Sequence, residues 1–364
     1  MEIVGGVQVS PYLLAAIGLA VGLVSGFVGV GGGYMLTPAL MVLGFPSGMA
    51  VGTSLALIAG NALIAVVRHR QLGHVDLKMG VILMAGTLMG TEVGVRIHRA
   101  VEALGPDPKD IIVLGVLLVT LAGIGVFMYR ELQRSRRQMA GMSEEELAAC
   151  DDVQSSGVCH VFQHLWIPPV IRFTKSKLTI STWVVMLVGF ATGVLSGFMG
   201  VGGGVVTAPA LMYIVGQPSV MAAGTSLSGF VVSASFGCFR HAMMGHVHLG
   251  AALVILLGTA IGTQVGAIGT NYLKGMALRY VLGYAVLTAL IGPGFKLAYF
   301  LTGRFTPWLN HTAVVLTIAQ IFVPVTIIIM FLAFAVKYHR GGTVPHWAET
   351  LMISRERLRQ RQTR

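Results

Sequence analysis

Residues 25–33 read SGFVGVGGG, and residues 196–204 read SGFMGVGGG. The echo runs well beyond these nine positions. Pro38 returns as Pro209, and Gly52-Thr53-Ser54-Leu55 as Gly224-Thr225-Ser226-Leu227. Arg68-His69 returns as Arg240-His241, and Gly73-His74 as Gly245-His246. Gly86-Thr87, Gly90-Thr91 and Gly94 return as Gly258-Thr259, Gly262-Thr263 and Gly266. The offset is 171 residues at first and 172 after one insertion. Solenoid repeats have periods of about 20–50 residues, so this is a duplicated half-protein. In an apolar chain, duplicated halves point to a transporter whose site lies between them.

The chain has 364 residues, of which 55% are hydrophobic and 11% charged, with a mean hydropathy of +0.79. A soluble domain carries roughly 25% charged residues, so the solvent here is the lipid bilayer. Runs such as 311–336 exceed the ~20 residues that span a membrane. The 48 glycines fit close helix approach in lipid. The formal charge of +11 is read as Lys and Arg of cytoplasmic loops, not as a nucleic-acid surface. Cys150, Cys159 and Cys238 make no disulfide framework. Residues 1–10 carry no Lys or Arg, and no cleavable signal peptide is expected.

The expected architecture is an all-α polytopic membrane protein of two homologous helical repeats. The boundaries are 1–129 for the first repeat, 130–181 for a cytoplasmic insertion, and 182–302 for the second repeat. An extra transmembrane helix lies within 303–336, and 337–364 forms a basic cytoplasmic tail. Apolar blocks fall at 11–45, 49–67, 77–97 and 111–129, and again at 182–216, 220–239, 249–271 and 279–302. The opening block of each half should break, at Gly31–Gly33 with Pro38 and at Gly202–Gly204 with Pro209, because Gly costs about 1 kcal/mol and Pro about 3 in a helix. Broken backbone at membrane depth is tolerated where protein covers it or where it lines a water-filled cavity. The tail and the insertion each hold seven Lys or Arg and should share the cytoplasmic side. That parity requires the opening block to cross zero or two times, which inverts the halves relative to each other. A single crossing would make them parallel.

Each candidate site residue has an ordinary reading beside the functional one. Helices starting after Gly33 and Gly204 would aim free N–H groups and positive dipole ends at a bound anion, with a plain packing kink as the alternative. Gly31, Gly32, Gly33, Gly202, Gly203 and Gly204 are the candidate substrate-binding backbone. Thr53, Ser54, Thr225 and Ser226 add hydroxyls that either cap helices or donate to the anion. Glu92 either carries a coupling proton or pairs with Arg96 one turn on; its counterpart is Gln264. Arg68 and Arg240 either anchor at the interface or attract anions at two mouths. Asn61 is polar in an apolar run, where its counterpart is Ser233. The stripes Gly18-Gly22-Gly26, Gly189-Gly193-Gly197, Gly86-Gly90-Gly94 and Gly258-Gly262-Gly266 are helix-packing faces. Cys150, Cys159, His160 and His164 in the insertion match no standard zinc spacing, and no metal site is assigned. No nucleophile–base pair, cofactor motif or G-x-x-x-x-G-K-[ST] loop occurs, so neither an enzyme nor an ATP-driven pump is expected.

The paired GxxGxGGG elements, the paired GTS motifs and the paired Arg-His ends resemble the TauE/SafE family of prokaryotic permeases, over residues 11–129 and 182–302. The resemblance implies a secondary transporter of small oxyanions such as sulfite or organosulfonates in the cytoplasmic membrane. It implies coupling to an ion gradient, with a proton as a candidate, and puts Gly31–Gly33 and Gly202–Gly204 at the centre. An anion channel, or a sensor or enzyme using the 130–181 insertion, is the alternative.

Overall fold

The computed structural model describes residues 2–3, 7–140, 168–173, 175–176, 178–302, 306–340, 342–349 and 351–353. The first half holds α1 (Pro11–Val28), α2 (Gly33–Val42), α3 (Ser47–Gln71), α4 (Leu77–Glu102) and α5 (Pro106–Ala140). The second holds α6 (Thr182–Met199), α7 (Gly204–Ala210) with a π turn at Leu211–Val215, α8 (Ser219–Ala242), α9 (Leu249–Gly269), α10 (Gly275–Thr288) and α11 (Ile291–Leu301). Then come α12 (Pro307–His339) and the short α13 (His346–Glu349). Strand is confined to two antiparallel ribbons, β1 (Glu2–Ile3) with β2 (Val7–Gln8) and β3 (Val170–Phe173) with β4 (Leu178–Ser181).

Among the described residues, nine segments are long and apolar enough to cross a membrane: α1, α3, α4, α5, α6, α8, α9, α10 with α11, and α12. Many of their large apolar side chains face outward, such as Val119, Leu257 and Val315. Outward-facing apolar residues on every long helix are what lipid, not water, requires. The protein is an all-α polytopic membrane protein.

Three boundaries differ from expectation. Helix α5 continues to Ala140, because residues 131–137 (ELQRSRR) are mostly good helix formers despite their charge. Helix α12 extends beyond 311–336 to Pro307–His339. Pro38 and Pro209 lie inside α2 and α7 and break neither, so the interruption is made by glycine alone. Cys150, Cys159, His160 and His164 lie outside the described residues.

Two sets of contacts fix helix directions. Gly52 near the start of α3 abuts His241 in the last turn of α8 and His246 just beyond it, while Gly224 near the start of α8 abuts His69 and His74. Between them, Leu55 of α3 meets Gly237 of α8, and Ala62 and Ala65 pack with Leu227 and Phe230. Thus α3 and α8, which occupy equivalent places in the two halves, run antiparallel through the centre. The outer pairs run parallel. Gly18, Gly22 and Gly26 of α1 rest on the backbone at Ile255, Thr259 and Thr263 of α9. Gly86, Gly90 and Gly94 of α4 rest on the backbone from Met186 to Phe198 of α6 in the same ascending order. Each half therefore lends its first helix to the third long helix of the other.

The opening block folds back on itself. Helix α1 travels with α3, since its last turn reaches His69 near the end of α3. Helix α2 then starts beside Ile58, midway along α3, and returns toward the start of α3.

Candidate functional site

The two interruptions are built from left-handed glycines. Gly29, Gly31 and Gly32 have φ of 77°, 79° and 82°, and Gly200, Gly202 and Gly203 have 69°, 73° and 68°. An L-residue there costs roughly 1–2 kcal/mol. Glycine is also required by space: a Cβ on Gly33 would lie 2.7 Å from the Gly200 carbonyl oxygen, and one on Gly204 would strike Val30. The two breaks therefore touch each other. Hydroxyls fasten them: Ser226 of the central helix α8 donates to the Gly29 carbonyl at 2.7 Å, and Thr37 of α2 donates across to the Gly200 carbonyl at 3.0 Å.

A helix that stops inside the bundle leaves carbonyls without partners. Here a histidine from the neighbouring central helix serves one of them in each half. His69 Nε2 donates to the Gly26 carbonyl at 2.9 Å, and His241 Nε2 to the Gly197 carbonyl at 3.0 Å. This explains why Arg68-His69 and Arg240-His241 repeat with the glycine sentence. The histidines pin the broken helices from inside, a role that the sequence reading did not assign.

At the start of α2, the amides of Met35 and Leu36 already bond the Gly32 carbonyl, and at α7 those of Val206 and Thr207 bond Gly203. The amides of the first helical residues, Gly33, Tyr34, Gly204 and Val205, precede these bonds. The hydroxyls of Tyr34, Ser54 and Ser196, all near the breaks, are buried without a partner. Tyr34 and Ser196 were not singled out from sequence, because an apolar run hides a lone Tyr and a Ser reads as helix packing. Ile58 covers Gly31, Gly33 and Gly202, and its counterpart Phe230 covers Gly203. Both side chains lie against the junction.

The remaining predicted residues lie elsewhere. Thr53 Oγ1 accepts from the His248 amide at 3.0 Å, and Thr225 Oγ1 from the Asp76 amide at 3.1 Å. Both threonines fasten loops at opposite ends of the bundle. Glu92 pairs with Arg96 at 2.8 Å and with Arg240 at 3.0 Å, so Arg240 is an ion-pair partner, and Arg68 donates to Gln71 at 3.0 Å. Asn61, at 0% exposure, donates to Ser25 Oγ at 2.8 Å and accepts a short bond from Thr263, joining α1, α3 and α9. At the Asp76 end, the tip of the β3–β4 ribbon docks. Ser176 gives both its amide and its hydroxyl to Asp76 Oδ2, at 3.2 and 2.7 Å, and Gln217 bridges Ser176 to Thr225 at 3.0 Å each.

Crossing helices with two broken ones touching at the centre define the class: a multi-pass α-helical membrane protein of the broken-helix type. Comparison with known proteins places it more closely. The chain belongs to the sulfite exporter TauE/SafE family, whose model matches residues 14–293. It is 24% identical over 265 residues to the probable membrane transporter protein YunE of Bacillus subtilis, covering 70% of this chain and 86% of that one. It is 24% identical over 278 residues to the probable membrane transporter protein YjnA of the same organism, covering 75% and 95%. A probable membrane transporter protein of Xylella fastidiosa is 26% identical over 282 residues, covering 74% and 90%. No solved structure matches.

Proposed function

We propose that this chain is a secondary transporter of small oxyanions, with sulfite or organosulfonate-type sulfur anions as the substrate class. It works by alternating access between two inverted repeats, residues 1–129 and 182–302, in the cytoplasmic membrane. The antiparallel run of α3 against α8 supports inversion, and the family description and the relatives' names support transport.

The observation that carries the reading is the junction of the two breaks. Two helix starts, at Gly33 and Gly204, meet across a glycine contact, with buried unpartnered hydroxyls of Tyr34, Ser54 and Ser196 nearby. Backbone N–H groups and hydroxyls at positive helix ends hold an anion without a fixed charge. Such a site releases its ligand more readily than a buried ion pair would. The residues of both breaks are buried, with Ile58 and Phe230 against the glycines, so in this reading a substrate enters only when one repeat moves against the other. The inverted arrangement makes the two openings equivalent.

The test is anion flux in proteoliposomes, comparing sulfite, sulfate, thiosulfate and sulfonates. Saturable flux of sulfite or a sulfonate is expected, and replacing Gly32 or Gly203 with a bulky residue should abolish it without loss of membrane insertion. A non-saturating conductance would identify a channel. Normal flux in both glycine variants would remove the breaks from the transport path.

A further inference from the structure

We propose that His98, His241 and His246 form a binding site for a divalent transition-metal ion, of which zinc suits the donors best, at the end of the bundle opposite the β3–β4 ribbon. The inference is independent of the transport reading.

Three segments converge to make the cluster: the last turns of α4, the end of α8, and the loop before α9. One ring nitrogen of each histidine lies within 4.8 Å of one from each of the other two. The ring centroids of His98 and His241 are 5.0 Å apart, and His246 is 5.9 Å from both. In every ring one nitrogen is held by an acceptor. His98 Nδ1 faces the Phe198 carbonyl at 2.8 Å, His241 Nε2 the Gly197 carbonyl at 3.0 Å, and His246 Nε2 a Glu102 carboxylate oxygen at 2.9 Å. Those bonds assign the ring protons, and they leave His98 Nε2, His241 Nδ1 and His246 Nδ1 as buried nitrogens with no partner.

This is the donor pattern of a metal centre. Metal-ligating histidines characteristically give their other N–H to a carbonyl or carboxylate, which fixes the tautomer and raises ligand basicity. A cluster of histidines serving only as packing has no need of three lone pairs in one place. Zinc takes imidazole nitrogen at about 2.0–2.1 Å in tetrahedral sites, so modest ring rotation would bring the three nitrogens onto one ion. Burial holds the His246 imidazole below its ordinary pKa, although Glu102 acts to raise it. Lys109 binds the same Glu102 oxygen at 2.8 Å. A cavity of about 730 Å³ lined by Arg96, Arg99, Glu102 and Arg240 adjoins through Glu102. A three-histidine ion with one open position beside three guanidinium groups suits an anionic fourth ligand.

The repeat supplies its own control. Residues 172 positions beyond His98 and Glu102 are Thr270 and Lys274. The other end of the bundle therefore has the equivalent pair His69 and His74, with centroids 5.8 Å apart, but neither the third imidazole nor the carboxylate. The site belongs to one end only.

The experiment uses the tag-free full chain in nanodiscs, stripped with a chelator, titrated with Zn²⁺ and separately with Co²⁺ as a spectroscopic probe. One chelator-sensitive ion per chain is expected, with Co²⁺ giving the d–d absorption of a low-coordinate nitrogen site. His246→Ala, in a loop where truncation spares the helices, should weaken Zn²⁺ binding at least about 100-fold, and His98→Ala likewise. Glu102→Gln should weaken it about 10-fold through loss of the supporting carboxylate, while His74→Ala leaves it unchanged. Zn²⁺ affinity in His246→Ala equal to that of the wild type would overturn the proposal. So would an unmodified chain that takes up no Zn²⁺ at micromolar concentrations, or equal damage from His74→Ala.

Discussion

Replacing Gly90 with Ala tests the parallel seam between α4 and α6 with one methyl group. That methyl would sit 2.8 Å from the Val194 amide nitrogen and 2.9 Å from the Phe190 carbonyl carbon, and closer still to the Phe190 oxygen. All three neighbours are backbone, so no rotamer change relieves the clash, and the two helices must separate. Overpacking of this kind costs about 1–3 kcal/mol. The intrinsic gain of Ala over Gly in a helix, about 1 kcal/mol, would mask part of it. Gly123 removes that ambiguity. It lies within α5, with nothing within 4 Å of its added methyl, so Gly123→Ala reports the propensity gain alone. The difference between the two variants is the seam term, roughly 5- to 150-fold in the folded-to-unfolded ratio at 1.4 kcal/mol per tenfold. Unfolding in mixed micelles by titration with a denaturing detergent, followed by circular dichroism, measures both. Gly262→Ala, its counterpart in α9, should behave like Gly90→Ala because it meets the Leu23 amide at 2.7 Å. Equal stability of Gly90→Ala and Gly123→Ala, within about 0.5 kcal/mol, would refute the packing argument.

Three further outcomes are expected. In a background lacking native cysteines, Gln71→Cys and Met243→Cys should label from opposite sides of the membrane with an impermeant thiol reagent; labelling from the same side would mean parallel halves. Glu92→Gln should leave any dependence of flux on a proton gradient unchanged, because two arginines already engage the carboxylate as an ion pair; loss of that dependence alone would assign the coupling proton to Glu92. Asn61→Ala should lower stability by about 1–2 kcal/mol, since buried interhelical hydrogen bonds in membranes average about 0.6 and reach about 1.7 kcal/mol each; an unchanged detergent midpoint would count against the Ser25–Asn61–Thr263 link.

The apolar helices and the two interruptions were legible because both depend on local composition. Gly29 and Gly200 admit the positive φ that ends α1 and α6, and the first two glycines of each following triplet admit the positive φ that leads into α2 and α7. Prolines 38 and 209 misled: each is the sixth residue of its helix and forfeits one i→i−4 bond, yet the helical path continues past it. The functional partners of Thr53 and Thr225 were not legible. Their hydroxyls bond loop amides from the opposite half, 195 and 149 residues away respectively. The histidine cluster escaped for the same reason. His241 and His246 stand in the repeated motif, but His98 joins them only because α4 and α8 end on the same side of the bundle.

The exchange of first helices between the halves bears on how the chain is made. Helix α1 shows its glycine stripe to nothing until residues 249–269 have been synthesised, because its seat is on α9. Helix α4 waits in the same way for α6. The first half thus enters the bilayer as an unfinished object, held open at a groove of exposed backbone that only the second half fills. A truncation after the first repeat would leave a half with a permanent docking slot, one that a separately expressed second half should be able to occupy.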